Sequence, residues 1–587
     1  MTGMDIGTPD GKADRIFFNG PIVTMVEDQA SAPEAVAIRG ETIVFVGDLA
    51  EARSQWQGSG TWMHDLAGAC LLPGFIDAHG HMGGVGLQAL VANLLAAPDG
   101  SVGSVDDVVG KLSEWGQSDV GRRSQWIVGM GYDDALIGRH PTRQDLNRVS
   151  TERPVLAVHQ SAHLGAVNDR ALELLGYDHA TPDPDGGHIG REDELEPYGT
   201  PDGVLEETAF NPAFDKAVAG LSPTDSAGLY AVGRHEYSRF GFTTAQEGGA
   251  ARQLLDTLRV LQRTTGFQID LAAYIKASEL KTEADWDRLD IAANYYRGMR
   301  LAGVKLLLDG SPQGRTAWLT EPYLTPPPKQ DSEYRGYRTV TDDVAKEQVY
   351  QAFRRDIHVI AHVNGDAAVD QFIMAVEAAC RRLGEPDAAH RRPVAIHAQT
   401  ARQDQIVDFA RLGIIPSFFT MHTFYWGDWY RETVLGEERA QNISPTGWAL
   451  AQGLRYTAHH DAPVALANSI AILSSQATRI TRSGKVIGEH HRVSVPDALR
   501  SITTNAAYQY FEENRKGSIE TGKQADLVIL SVNPLALPEP QILESWDGVR
   551  ILETIRRGET RFTAGGGAIA ATTAKTANLA TLVQHHC

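Results

Sequence analysis

An α/β chain is predicted: a (β/α)8 TIM barrel, a composite β-sandwich domain built from both termini, and a subdomain inserted early in the barrel. Three observations predict it. Eight apolar strand candidates end near His79, Glu247, Ile275, Asp309, Val363, Ala398, Phe418 and Asp461, and eight parallel strands close into a barrel. Helical stretches such as Asp366–Leu383 and Arg402–Leu412 fall between them, as βα alternation requires. Short β segments occur at both chain ends, Arg15–Met25 and Ala35–Val46 on one side, Gly517–Ser531 and Val549–Arg556 on the other.

The resulting division is 14–70 with 515–562 for the β-sandwich and 71–514 for the barrel. Glu247 follows His79 by 168 positions, against about 30 for one βα unit. The excess, 86–226, is expected to form a subdomain over the barrel mouth. Within it, Tyr177–Glu207 is rich in Asp, Pro and Gly and reads as extended loop. Residues 563–587, rich in Ala, Thr and Gly, read as a flexible tail.

Net charge is −20, from 54 Lys and Arg against 74 Asp and Glu. This disfavours nucleic acid and anionic membrane surfaces as partners. No run of eighteen apolar residues occurs, and the N-terminus lacks an apolar signal core. Cys70, Cys380 and Cys587 lie far apart, which suits a reducing cytoplasm and indicates neither disulfides nor a thiolate metal site.

The chemistry starts at Pro73-Gly-Phe-Ile-Asp-Ala-His-Gly-His81. Side chains at i and i+2 of a strand point the same way, so His79 and His81 can face one metal ion at the barrel mouth. With 20 histidines in 587 residues, chance supplies roughly 0.7 such pairs; the position at a strand's C-terminal end gives this one its weight. Further along, Lys305 lies in the apolar run Val304–Leu308, where a free ammonium is costly to bury. It is either paired with a buried carboxylate or converted by CO2 to a carbamate that bridges metals. His362, His397 and Asp461 end strands five, six and eight.

Taken in order, His-x-His, Lys, His, His and Asp on strands one, four, five, six and eight resemble the ligand set of the amidohydrolase superfamily. Trp126–Asp133, Val304–Ser311, His397–Gln399, Asp461–Val464 and Lys516–Leu527 are similar to its YtcJ-like branch, which includes N-substituted formamide deformylase. Gly310–Gly314 and Val363-Asn364 depart from the branch pattern. The resemblance implies Zn2+, as one or two divalent ions. His79, His81 and Asp461 would hold the more buried ion, His362 and His397 the more exposed one, and carboxylated Lys305 would join them. Metal-activated hydroxide would then cleave a C–N bond of a small amide-like molecule, with Asp461 as the catalytic acid–base.

His163 resembles a branch position that faces the cleft and is a candidate substrate contact. After strand seven, His422–Trp429 reads as an aromatic loop at the catalytic face, placing Tyr425, Trp426 and Trp429 where an apolar substituent would sit. The candidate assembly is a homodimer. Two other readings compete: a non-hydrolytic decarboxylase or lyase on the same ligands, and a metal-free binding protein.

Overall fold

The computed structural model describes residues 11–26, 32–193, 197–218, 223–327, 330–537 and 548–565. Eight strands pair in parallel, each with the next, in the order Phe75–Ile76, Phe242–Ala250, Asp270–Lys276, Met299–Leu307, His358–Val363, Val394–His397, Ile415–Phe418 and Thr457–Ala458. The two short end strands meet through backbone bonds at the mouth. Asp461 N–H donates to His79 O at 3.2 Å and His81 N–H to Ala462 O at 2.8 Å. These two bonds join the first and last strand ends, so the metal-ligand candidates lie on the seam of the barrel.

The strands are buried on both faces, as a parallel sheet covered by helices demands. Helix Asp366–Leu383 shows how local sequence sets the spacing. It buries Val369, Phe372, Ile373 and Val376 on one side and stops at Gly384, whose φ of +73° is a left-handed cap available to glycine at little cost.

The chain ends form two four-stranded sheets. One joins Arg15–Phe18, Ala35–Arg39, Thr42–Gly47 and Trp62–Asp65; the other joins Cys70–Pro73, Leu527–Leu530, Ile551–Arg556 and Glu559–Thr563. Phe17, Val36 and Ile43 from the first share one core with Leu71, Leu527 and Ile555 from the second. Two expected strands are shorter than read. Arg15–Met25 ends at Phe18, because Asn19 turns to φ +62° and Pro21 has no N–H for the ladder. Ala35–Val46 is a hairpin, turned at Gly40 with φ +54°.

Between barrel strands one and two, a six-stranded mixed sheet runs from Ala92–Asn93 to Pro201–Glu207. Here the expected loop Tyr177–Glu207 is corrected. Gly187–Arg191 and Pro201–Glu207 pair antiparallel, since their apolar residues Ile189, Val204 and Leu205 are buried despite the Asp and Gly between them. The tail beyond residue 565 lies outside the described residues.

Candidate metal centre

At the barrel mouth, strand ends bring His79, His81, Lys305, His362, His397 and Asp461 together. His79 Nε2 and His81 Nε2 each lie 3.3 Å from Asp461 Oδ1. His397 Nε2 is 3.8 Å from Asp461 Oδ2 and 3.2 Å from His362 Nδ1, and Lys305 Nζ donates to His79 Nε2 at 3.0 Å. Ligand atoms of His79, His397 and Asp461 all fall within 4.8 Å of one another. His397 and Asp461 hold φ of +71° and +49°. Such conformations cost non-glycine residues of order 1–3 kcal/mol and persist where surrounding structure imposes them.

The set has the protonation a divalent cation requires. Burial holds the imidazoles of His79, His362 and His397 well below their ordinary value, so all three are neutral acceptors. Asp461 Oδ1 is buried without a hydrogen-bond donor. A carboxylate oxygen so placed, facing several imidazoles, fits a cation. Burial also brings the Lys305 ammonium down to about 7, and among the described residues no carboxylate pairs with it within 4.0 Å. This is the free amine that carbamate formation needs.

Neighbours fix the ring orientations. Gln246 Oε1 can only accept, so His79 Nδ1 donates to it at 2.5 Å and the Nε2 lone pair is left for the centre. The Gln246 amide is itself held by Ala78 O and Tyr510 Oη. Asp77, raised by burial to about 7, accepts the backbone N–H of His79. Asp309, also raised to about 7 by burial, accepts N–H groups of Trp318, Asn364 and Gly365, fixing the turn after strand five.

Burial does not divide the ligands as expected. His362 and His397 are 4% and 2% exposed, as deep as His79 at 1%, whereas the His81 side chain is 34% exposed. The inserted sheet is the reason: His163, at the turn before Leu164–Val167, sets its ring 4.9 Å from that of His362. His163 Nδ1 lies 2.8 Å from Glu207 Oε2; burial opposes its protonation, but the Glu207 carboxylate outweighs this and raises its pKa.

A small cavity of about 10 Å3 opens beside these groups, walled by Ser161, His163, Ser311, Asn364, Phe419 and His422 among others. That is room for a single water. Tyr425, Trp426 and Trp429 do not line it. The expected aromatic loop is a helix, His422–Trp429, and its rings face the inserted subdomain and the strand-four loop. The Tyr425 hydroxyl donates to Asp99, Trp426 Nε1 to Asp133 at 3.0 Å, and Trp429 Nε1 to Gln313 O at 3.2 Å. Each polar edge has a protein partner, which is why these rings turn from the cavity. Phe419 and His422 take the places expected of them.

Sequence reasoning missed His459 and Gln246. His459 Nε2 shares a 3.1 Å hydrogen bond with His397 Nδ1. Its signal was its place in the run Ala458-His-His-Asp461, directly after strand Thr457–Ala458. Gln246 carried no comparable signal.

Comparison with known proteins agrees with this architecture. N-substituted formamide deformylase of Arthrobacter pascens is 25% identical over 562 residues, 91% of this chain and 98% of that one. Protein LONG AFTER FAR-RED 3 of Arabidopsis thaliana is 28% identical over 549 residues, 89% and 88% of the two chains. The crystal structure of an uncharacterized metal-dependent hydrolase from Pyrococcus horikoshii OT3 superposes with a TM-score of 0.70 at 23% identity, covering 90% of this chain and 99% of that one. The family model described as amidohydrolase family matches residues 63–562, and the chain belongs to that family.

Proposed function

We propose that this protein is a zinc-dependent hydrolase of C–N bonds in small N-substituted amides, of the formamide or N-acyl amine type. The observation that carries the reading is the buried, unpartnered Asp461 oxygen facing the imidazoles of His79 and His81 at a strand-end seam. His79, His81, Lys305, His362, His397 and Asp461 would hold one or two ions, with Lys305 as a carbamate. When bound, such ions lower the pKa of water toward about 7 and polarise a carbonyl. Asp461 would accept the proton of the attacking water and return it to the departing nitrogen. His163, held by Glu207, would contact the substrate beside His362. Formyl is the smallest acyl group and asks least of the space beside the site, which Ser161, His163 and Ser311 wall. The similarity to N-substituted formamide deformylase supports the same end of the range.

The proposed location is the cytoplasm, with a second copy of the chain as the assembly partner; among the described residues no helix is long and apolar enough to cross a membrane. The test is a panel of formamides, N-acyl amino acids and cyclic amides given to zinc-loaded protein. Release of amine with formate or a short carboxylate is the expected result. Release of CO2 without water addition would make it a decarboxylase. Metal below about 0.2 equivalents, in protein purified without chelator, would overturn the metal assignment.

A further inference from the structure

Beside the metal centre, a second polar chain reaches the same cavity from the inserted subdomain. Ser161, His159 and Asp134 are all buried, and Ser161 is on the cavity wall. His159 Nε2 lies 3.0 Å from Asp134 Oδ1, and His159 Nδ1 lies 2.9 Å from Ser161 Oγ. The polarity of this chain can be assigned. The backbone N–H of Ser161 donates to His159 Nδ1 at 3.1 Å, so Nδ1 carries no proton. The proton of neutral His159 is then on Nε2 and points to Asp134. Asp134 is anchored again by His140, whose Nε2 is 3.5 Å from Oδ2 and whose Nδ1 is 3.2 Å from the Tyr132 hydroxyl.

Asp133, Asp134 and His159 also come close enough to suggest a metal site of their own. The assigned polarity argues otherwise: His159 presents a proton to Asp134, and Asp133 already accepts from Trp426 and from the backbone of Ala135. The group is a hydrogen-bond relay.

Its consequence falls on Ser161. The hydroxyl proton shares the single Nδ1 lone pair of His159 with the Ser161 backbone N–H, and Oγ accepts one N–H, that of His163 at 3.2 Å. One lone pair is left for the cavity, so Ser161 meets a substrate as an acceptor. Asn364 Oδ1, on the same wall, is a second buried acceptor without a donor, its amide nitrogen being committed to Gly310 O. A buried acceptor left without a donor costs more than the bond itself provides.

We propose that Ser161, held as an acceptor by Asp134 and His159, takes the N–H of the substrate amide, so that the site selects mono-substituted over N,N-disubstituted amides. The assignment rests on the C–N hydrolysis reading above. Ser161 acts here as a specificity-determining contact, and Asp134 and His159 as positioning residues.

The test compares N-benzylformamide with N-benzyl-N-methylformamide. Zinc-loaded enzyme is expected to favour the first in kcat/KM by about 3–10-fold or more, the range of one hydrogen bond. Ser161→Ala should collapse that ratio while Ser161→Thr, which keeps the hydroxyl, retains it. A defect of folding alone would lower both substrates together and leave the ratio intact. Calorimetric binding of both formamides to the zinc-loaded Asp461→Asn variant gives a readout separate from turnover, with the same preference expected. Cleavage of both compounds at equal kcat/KM, or a preference that survives Ser161→Ala, would overturn the Ser161 assignment and leave C–N hydrolysis standing. Cleavage of neither would overturn the hydrolysis reading, and equal calorimetric affinities would then remove the Ser161 assignment as well.

Discussion

Asp461 combines a left-handed backbone, an unpartnered buried oxygen and contacts to His79, His81 and His397. If it shuttles the proton, Asp461→Asn should lower kcat by roughly 10²–10⁴-fold with little change in KM, measured on zinc-loaded protein. Gln246 works at one remove. It fixes the His79 tautomer, so Gln246→Leu should weaken metal affinity by about 10–100-fold, read by competition with a chelator. His358, at the opposite end of strand five, is a probe of acid stability away from the centre. Tyr274 and Arg392 O hold its ring, and burial lowers its pKa to about 4. An unfolded histidine titrates near 6.5, so between these values the unfolded chain binds the extra proton. The stabilisation from neutral His358 is therefore present above pH 6.5 and lost as pH falls toward 4, a change of order 3 kcal/mol. Urea midpoints of His358→Gln should fall less steeply than wild type over that window.

At the scale of elements, the helix His422–Trp429 decides how the inserted sheet is fastened. Trp426 is 1% exposed and donates to Asp133, while Tyr425 reaches Asp99; both acids belong to the insertion. Arg482 lies 4.9 Å over the Tyr425 ring and 3.9 Å from Asp133, closing the seam. Trp426→Ala should cost about 3–5 kcal/mol, the range for truncating a buried aromatic, seen as a lowered Tm with zinc content unchanged. Loss of zinc without loss of Tm would instead place the helix in the metal site.

For the whole molecule, the candidate metal centre and the barrel closure are the same place. Strand one and strand eight contribute only Phe75–Ile76 and Thr457–Ala458, and the seam between them carries His79, His81 and Asp461. An ion bound there would tie both ends of the barrel together. Adding zinc to chelator-treated protein at about 100 times its Kd should stabilise the fold by about 2.7 kcal/mol. Calorimetry should show this as a rise in Tm, abolished by His79→Ala. The far end of the barrel is locked differently. Lys516, Asp270 and Glu512 are buried together, with Arg556 on Asp270 and Arg300 on Glu512, joining the terminal β strands to the barrel.

Sequence by itself determined the positions of most barrel strands and the place of the insertion, because apolar runs of strand length separated by amphipathic helices admit few other arrangements. His79, His362 and His397 were legible as strand-end residues for the same reason. Tertiary structure alone decided the rest. Whether His422–Trp429 was loop or helix, and which way its rings faced, depended on Asp99, Asp133 and Gln313, more than a hundred residues distant in the chain. Gln246 orients His79, and Asp134 orients His159, through hydrogen bonds whose partners no local period reveals. Ligand candidates at strand ends can be read from periodicity; the groups that aim them depend on contacts that only the folded chain creates.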